Sequence, residues 1–479
     1  MHSAQCLSYN VHRGLIPEGH RVRLRTGSHP KSPPLPNFRI LSTRALATGL
    51  LIATAALGQT STTSPTVRFK TNLGDIDVVL TPEAAPATVT NFLNYVNRGA
   101  YNLSIFHRSV AGFIIQGGGF QLVNHAPAAT AQSAPVKNEF NVTNARGTIA
   151  MAKLGTDPNS ATNQWFFNLA NNGSNLDRQN GGFTVFGRVV GNAGLAVMDR
   201  IAAQPTFNLG SPFDQVPLQN YRGGTPSDAS YLLVTSIVSL PFVTPAGFTS
   251  AASFALTNPN GIAPGEIVAI FGTAIGPSQL TTLALDGSGA VTTSLAGTRV
   301  LFDGTAAPLI YTVAGQISVV APQSLAGKDI VQVVVEYQGV QTSAIRFPVA
   351  PANPGIFTLN SKGSGDGAII RPDGAVISES NPGQPGEVLV LYGEGYGATK
   401  DPLPDGVIVG STLPVPVAQV LLLIDDKVVD TQYAGGAPAL INGVLQVNFK
   451  VPDLAAGSHQ IQLQVGDRKS PAGVTLQTK

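Results

Sequence analysis

The chain has 479 residues, including 52 glycines and 35 prolines, so it is long enough for roughly three domains and rich in turn formers throughout. Its 29 Lys and Arg against 27 Asp and Glu give a net charge of +2 that mostly reports the amino terminus; the chain beyond it is weakly acidic with no basic cluster, which leaves no footprint for nucleic acid. One cysteine and seven histidines exclude a disulfide framework and supply poorly any multi-histidine metal site or histidine-assisted hydrolase.

At the amino terminus, Arg39 and Arg44 precede a short apolar run from Ala45 to Gly58 in which Ala56 and Gly58 flank Leu57. This is the pattern of a secretory signal peptide. The run falls short of the roughly 20 apolar residues of a membrane span, and Gln59 to Pro65 reads as a flexible polar linker. Residues 1–58 are therefore expected to be a removed leader and 59–65 a linker, with the protein exported to the periplasm, the medium or the cell surface and left without a membrane span. Residues 1–38 are long for a leader, so translation is expected to start downstream of Met1. Processing would remove Cys6, Glu18, seven basic residues and His2, His12, His20 and His29, leaving 22 basic against 26 acidic residues, a net charge of −4.

Val67 to Ile76 reads as strand, turn and strand. A helix follows, with Pro86 in its first turn, Val89, Phe92, Leu93 and Val96 at helical spacing, and Gly99 at its end. Ile105 to Arg108 is a short strand-like run, and Gly112 turns the chain into a second strand over Phe113 to Gln116. Alternation puts Phe113 with Ile115 on one face and Ile114 with Gln116 on the other. Gly117, Gly118 and Gly119 mark a tight crossing and not a phosphate loop, since no lysine-bearing helix follows. His107 reads as a satisfied barrel histidine. An arginine beside a hairpin is ordinarily a surface residue, but Arg108 shares its two short runs with an amide and several aromatics. Further blocks are Lys137-Asn138-Glu139, Gly147 to Ala152, Ser160 to Asn168 and Phe183 to Gly187, ahead of a short amphipathic helix through Leu195, Met198 and Ile201. The last strand of this region is expected over Tyr231 to Leu240.

In this order the blocks resemble those of the cyclophilins, peptidyl-prolyl cis/trans isomerases, and are most similar to the bacterial branch, over residues 66–240. The resemblance implies a closed antiparallel β-barrel with two capping helices in a mainly β protein, no cofactor or metal, and proline-containing peptides and unfolded proteins as partners. By position it makes Arg108, Phe113 and Gln116 catalytic, and Ile114, Ala152, Lys153, Gln164, Phe166, Leu176 and Phe183 substrate-binding. Phe113 and Phe166 would form the floor and wall of a proline pocket, Gln116 and Gln164 would position the peptide backbone, and Leu176 would close the rim. Three positions depart from the best-known eukaryotic pattern. Asn175 stands where a tryptophan supports cyclosporin binding, which argues against drug sensitivity. Phe183 stands where a histidine is common, and Lys153 replaces an asparagine whose family contact with substrate is largely a main-chain one.

After Leu240 the texture changes to short β-branched runs between Gly, Pro, Asn and Asp. Ala263-Pro264-Gly265-Glu266 and the run to Gly272 return as Gln384-Pro385-Gly386-Glu387 and the run to Gly393, at an offset of 121. By Val320-Ala321-Pro322 and Lys450-Val451-Pro452 the offset is 130, so the second copy holds about nine extra residues, expected in the loop Asp401 to Gly406. Strands are expected over Ile330 to Tyr337 and Gln460 to Val465. The pattern predicts two β-sandwiches, 245–350 and 352–479. They resemble tandem immunoglobulin-like modules of secreted bacterial proteins, with similarity to IPT/TIG domains, a scaffold that assigns no chemistry. Contact with a cell surface or glycan would need exposed aromatics, for which Tyr392, Tyr396 and Tyr433 are the candidates.

Two functions follow. One is an exported prolyl isomerase carried by two sandwiches. The other is a peptide-binding or adhesion protein whose pocket holds proline without turnover, with Arg108 as the residue that separates them.

Overall fold

The computed structural model describes residues 64–479; the expected leader and most of the linker lie outside the described residues. The first unit carries β1 (Thr66–Thr71), β2 (Gly74–Leu80), β3 (Ser104–Ile105), β4 (Arg108–Val110), β5 (Ile114–Gly117), β6 (Phe120–Val123), β7 (Ala126–Ala129), β8 (Thr148–Met151), β9 (Trp165–Asn168), β10 (Val185–Val189), β11 (Thr206–Phe207), β12 (Val216–Pro217) and β13 (Leu233–Leu240). The main sheet runs β4-β5-β9-β8-β10-β2-β1-β13-β3-β6-β7. Because β3 and β4 belong to one stretch of chain, Ser104 to Val110, the path leaves from that stretch and returns to it, closing the sheet into a barrel. Backbone bonds seal the join: Phe106 N donates to Leu232 O at 3.0 Å and His107 N to Gln116 O at 3.1 Å.

Alternation along the strands fills the barrel. Phe69, Ile76, Val78, Ile115, Ile149, Trp165, Phe167 and Phe186 are buried together, and Phe69 lies 5.1 Å from Trp165 and 5.3 Å from Phe167, edge to face in both cases. Two helices complete this core. Pro86–Asn97 begins on its proline and turns Val89, Phe92, Tyr95 and Val96 inward. Its open N-terminus receives the carboxylate of Glu139, which accepts from Ala87 N at 3.1 Å and Thr88 N at 2.8 Å. The second helix, Gly191–Ala202, contributes Val197, Met198 and Ile201.

Beyond Leu240 stand two further units, each made of two sheets around one core. Val268, Ile270, Val300, Val331 and Val333 fill the first, and Leu389, Leu391, Leu422, Ile461 and Leu463 the second. The extra residues of the second copy are not where the sequence suggested. Tyr311 and Tyr433 occupy matching places beside a bulge in hairpins that pair Leu309 with Val319 and Thr431 with Phe449. The first hairpin turns tightly, pairing Val313 with Gln316, whereas the second pairs Gly436 with Leu445 around a much longer turn. The Asp401 to Gly406 loop has a counterpart of nearly equal length in the first copy, so its Pro, Asp and Gly marked a loop without marking an insertion. The long turn has a use. Ala437, Ile441 and Val444 are buried with Ile267, Ala269 and Val320 in a seam between the two units. Tyr392 and Tyr396 are also buried, and the Tyr433 hydroxyl donates to Gly436 O at 2.7 Å, so the first two are not surface aromatics for a sugar.

Candidate active site

The outer surface of the barrel carries a second, separate apolar cluster. The ladder sets Arg108 opposite Gln116, Gln116 opposite Phe166, Phe166 opposite Ala150 and Ala150 opposite Val185. Paired residues share a face, so these five form one row across β4, β5, β9, β8 and β10. The adjacent inward row, Ile115, Phe167 and Ile149, belongs to the barrel core. Around the outward row Ile114, Ala150, Phe166, Leu176 and Val185 are buried, with Val110, Phe113, Ala152 and Phe183 half-buried against them. The result is an apolar cluster flanked by a cation and an amide.

Arg108 is half-buried, and its guanidinium makes no ion pair or hydrogen bond with any of the described residues. Gln116 Nε2 donates to Gln164 Oε1 at 2.8 Å, so the two amides act as one unit beside it. Gln164 is backed by the glycine crossing: a Cβ on Gly119 would stand 2.8 Å from its Cδ, and one on Gly117 would stand 2.6 Å from the Trp165 ring. The triplet is therefore required for close approach. Phe183 meets Phe166 edge to face at 5.8 Å, and Leu176 closes the side of the pocket from the short helix Gly173–Leu176. Asn175 on the same helix is exposed and its side chain meets Gln179.

Two expectations need correction. Phe113 does not lie on the strand; it closes the preceding turn, its N–H donating to Val110 O at 3.0 Å, and β5 starts at Ile114. Alternation does not extend through a turn, so Phe113 joins the Ile114 cluster and not the face of Ile115. His107 is buried, but its Nδ1 has no hydrogen-bond partner among the described residues. Burial first, with Arg108 nearby, lowers its pKa to about 4 against the opposing contacts of Gln164 and the Ile105 backbone. It is a neutral ring at pH 7.

The sequence reading missed the amides beneath the pocket. Asn172 Nδ2 donates to Phe113 O and to Asn168 Oδ1, both at 2.8 Å. Asn168 Nδ2 donates to Thr148 Oγ1 at 2.8 Å and to Asn144 Oδ1 at 3.2 Å, and Asn144 Nδ2 donates to Phe183 O at 3.1 Å. One buried ladder thus ties both aromatic walls to the barrel. Its only local signal was a polar Asn168 ending an apolar strand.

The outer face of the closed barrel thus presents an apolar cluster with the Arg108 guanidinium and the paired amides of Gln116 and Gln164 at its edge. Residues 66–222 match the family described as cyclophilin-type peptidyl-prolyl cis-trans isomerase/CLD. A peptidyl-prolyl cis-trans isomerase of Acinetobacter baylyi is 46% identical over 165 residues, 34% of this chain and 82% of that protein. Isomerase A of Dickeya dadantii is 41% identical over 183 residues, covering 37% and 91% respectively. A solved cyclophilin-type isomerase of Cryptosporidium parvum, crystallised in the presence of the dipeptide Ala-Pro, is 22% identical over 36% of this chain and 98% of its own, with a TM-score of 0.28. The chain belongs to the cyclophilin-type peptidyl-prolyl cis-trans isomerases.

Proposed function

We propose that this isomerase is exported and that Arg108 drives its turnover by donating to the prolyl nitrogen of a client. An X-Pro peptide bond is held planar by resonance behind a barrier of about 18–20 kcal/mol and exchanges in tens to hundreds of seconds. As the bond twists, the nitrogen becomes pyramidal and recovers a lone pair that the planar amide withholds. A guanidinium N–H aimed at that nitrogen interacts more strongly with the twisted state than with either isomer, which lowers the barrier. The cluster of Phe113, Ile114, Phe166 and Leu176 suits the proline ring and excludes water that favours the charge-separated planar form. Gln116 and Gln164 offer amide groups to the peptide backbone. The observation that carries this reading is the lateral row, which sets Arg108, unpaired among the described residues, beside Gln116 and Phe166 on the outer face.

The leader pattern supports export, with unfolded extracytoplasmic proteins as clients. No helix among the described residues is long and apolar enough to cross a membrane. The two C-terminal units serve as immunoglobulin-like carriers that hold the isomerase at a distance from its attachment. Two experiments test the proposal. The full chain should accelerate exchange of an Ala-Pro peptide and Arg108→Ala should not. Expressed in a bacterial host, the chain should be recovered outside the cytoplasm starting near Gln59; retention inside the cell with Met1 intact would overturn export.

A further inference from the structure

The segment that carries Phe183 is held from below by the side chain of Lys153, a residue whose expected contact with substrate is a main-chain one. Lys153 follows β8, and its Nζ donates to Asn180 O at 2.6 Å and to Gly182 O at 2.5 Å. The same ammonium stands 4.8 Å over the Phe183 ring, and Phe183 in turn meets Phe166 at the proline pocket. Its hydrogen-bond acceptors are two carbonyls, and no carboxylate pairs with it among the described residues; Asp157 acts on it only at longer range. A half-buried cation fixed in this way spends its donors on the loop and its charge on the ring face.

We propose that Lys153 is a positioning residue whose side chain straps the Asn180 to Phe183 segment to the end of β8 and so sets the Phe183 wall of the pocket. The substrate is met by the wall, and Lys153 acts through it. The strap is one of several ties. Asn138 Nδ2 donates to Gly181 O at 2.7 Å and to Gly182 O at 3.1 Å, and Asn144 holds Phe183 O. Loss of Lys153 therefore loosens one wall and leaves the barrel folded. The wall contributes to holding proline in ground and transition states alike, so its displacement weakens binding without touching the step that Arg108 accelerates.

This inference rests on reading the cluster as the proline site, and the test separates the two. In the full-length chain, Lys153→Met should raise KM for an X-Pro peptide roughly three- to tenfold with kcat within about twofold. Lys153→Arg, whose fork can reach the same carbonyls, should restore most of the difference. Amide hydrogen exchange measured by mass spectrometry should speed up in residues 179–183 of Lys153→Met and stay unchanged in β5 and β9. An unchanged KM and unchanged exchange in a folded Lys153→Met would overturn the strap, as would equal losses in Met and Arg variants. If the unsubstituted chain fails to isomerise at all, the proposed function falls, and the exchange measurement still judges the strap.

Discussion

Gln116 on β5 donates its side-chain amide at 2.8 Å to Gln164, the residue before β9, and Arg108 stands directly opposite Gln116 on β4. The pair fixes which amide groups remain to face a peptide. Gln164→Ala removes the acceptor and frees Gln116 to rotate. Since one hydrogen bond contributes about 0.5–1.5 kcal/mol, kcat/KM should fall between about two- and tenfold, read in a protease-coupled exchange assay. Melting should change little, because both side chains are only half-buried.

Asn172 couples stability to the site. Asn172→Ala strands the buried Asn168 Oδ1 and removes one of two donors to Phe113 O, which keeps Leu169 N at 2.9 Å, at a cost of about 1–3 kcal/mol. Denaturant unfolding should show that loss, and KM should rise because Phe113 is held by one donor fewer. An unchanged midpoint would mean that the ladder is not a support.

The glycine crossing predicts a steric penalty. An alanine methyl at Gly117 would stand 2.6 Å from Trp165, and overpacking of this kind costs about 1–3 kcal/mol. Trp165 is the chain's single tryptophan, so Gly117→Ala should shift both the intrinsic fluorescence and the midpoint of its loss in urea.

The seam between the two C-terminal units carries a pH dependence. Glu394 accepts from Ser250 Oγ at 2.7 Å, Ala252 N at 2.8 Å and Ile267 N at 2.9 Å, while Glu266 accepts from Asn353 Nδ2 at 2.8 Å and Ala263 N at 2.7 Å. Both are wholly buried, and neither has a cation partner among the described residues. Burial raises Glu394 to about 7 and, together with the charge of Glu394, raises Glu266 well above the usual carboxylate range. Raised folded values mean that the stability is fully present below the unfolded value, near 4.3, and is lost as pH rises through about 7. Melting temperature should therefore fall between pH 5 and pH 8, with the loss in the C-terminal units. Glu266→Gln, which removes one charge, should flatten the slope. The His459 contact with Asp425 raises the histidine and pulls the same way, so the slope that survives in Glu266→Gln holds that part together with the part of Glu394, which burial still raises.

The site was legible where its chemistry sits in short contiguous blocks. Arg108, Gln116 and Phe166 come from three such blocks and the ladder brings them together, while Leu176, outside the blocks, packs against them from its own short helix. What escaped the sequence is carried by distance. Asn172 and Phe113 lie 59 residues apart, and Asn168 and Asn144 lie 24 apart, with no periodicity to link them. The face of Phe113 was misread because a strand pattern was carried into a turn. In the C-terminal half the repeat located equivalent strands, yet Tyr392 is buried in the seam with the neighbouring unit, and Tyr396 in its own unit's core with its hydroxyl on Asn442 of the long turn. Local composition carries no information about such a seam.

The central claim is that Arg108 accelerates the bond rotation itself. The most direct measurement is the exchange rate of a saturating Ala-Pro peptide by NMR for the unsubstituted chain, Arg108→Lys and Arg108→Ala, with peptide affinity measured alongside. Loss of one transition-state donor is expected to cost about 10²–10³ in rate, with affinity changed by no more than a few fold and partial activity in the lysine variant. Exchange within about fivefold of the unsubstituted chain in Arg108→Ala, or a loss that falls entirely in affinity, would contradict the account.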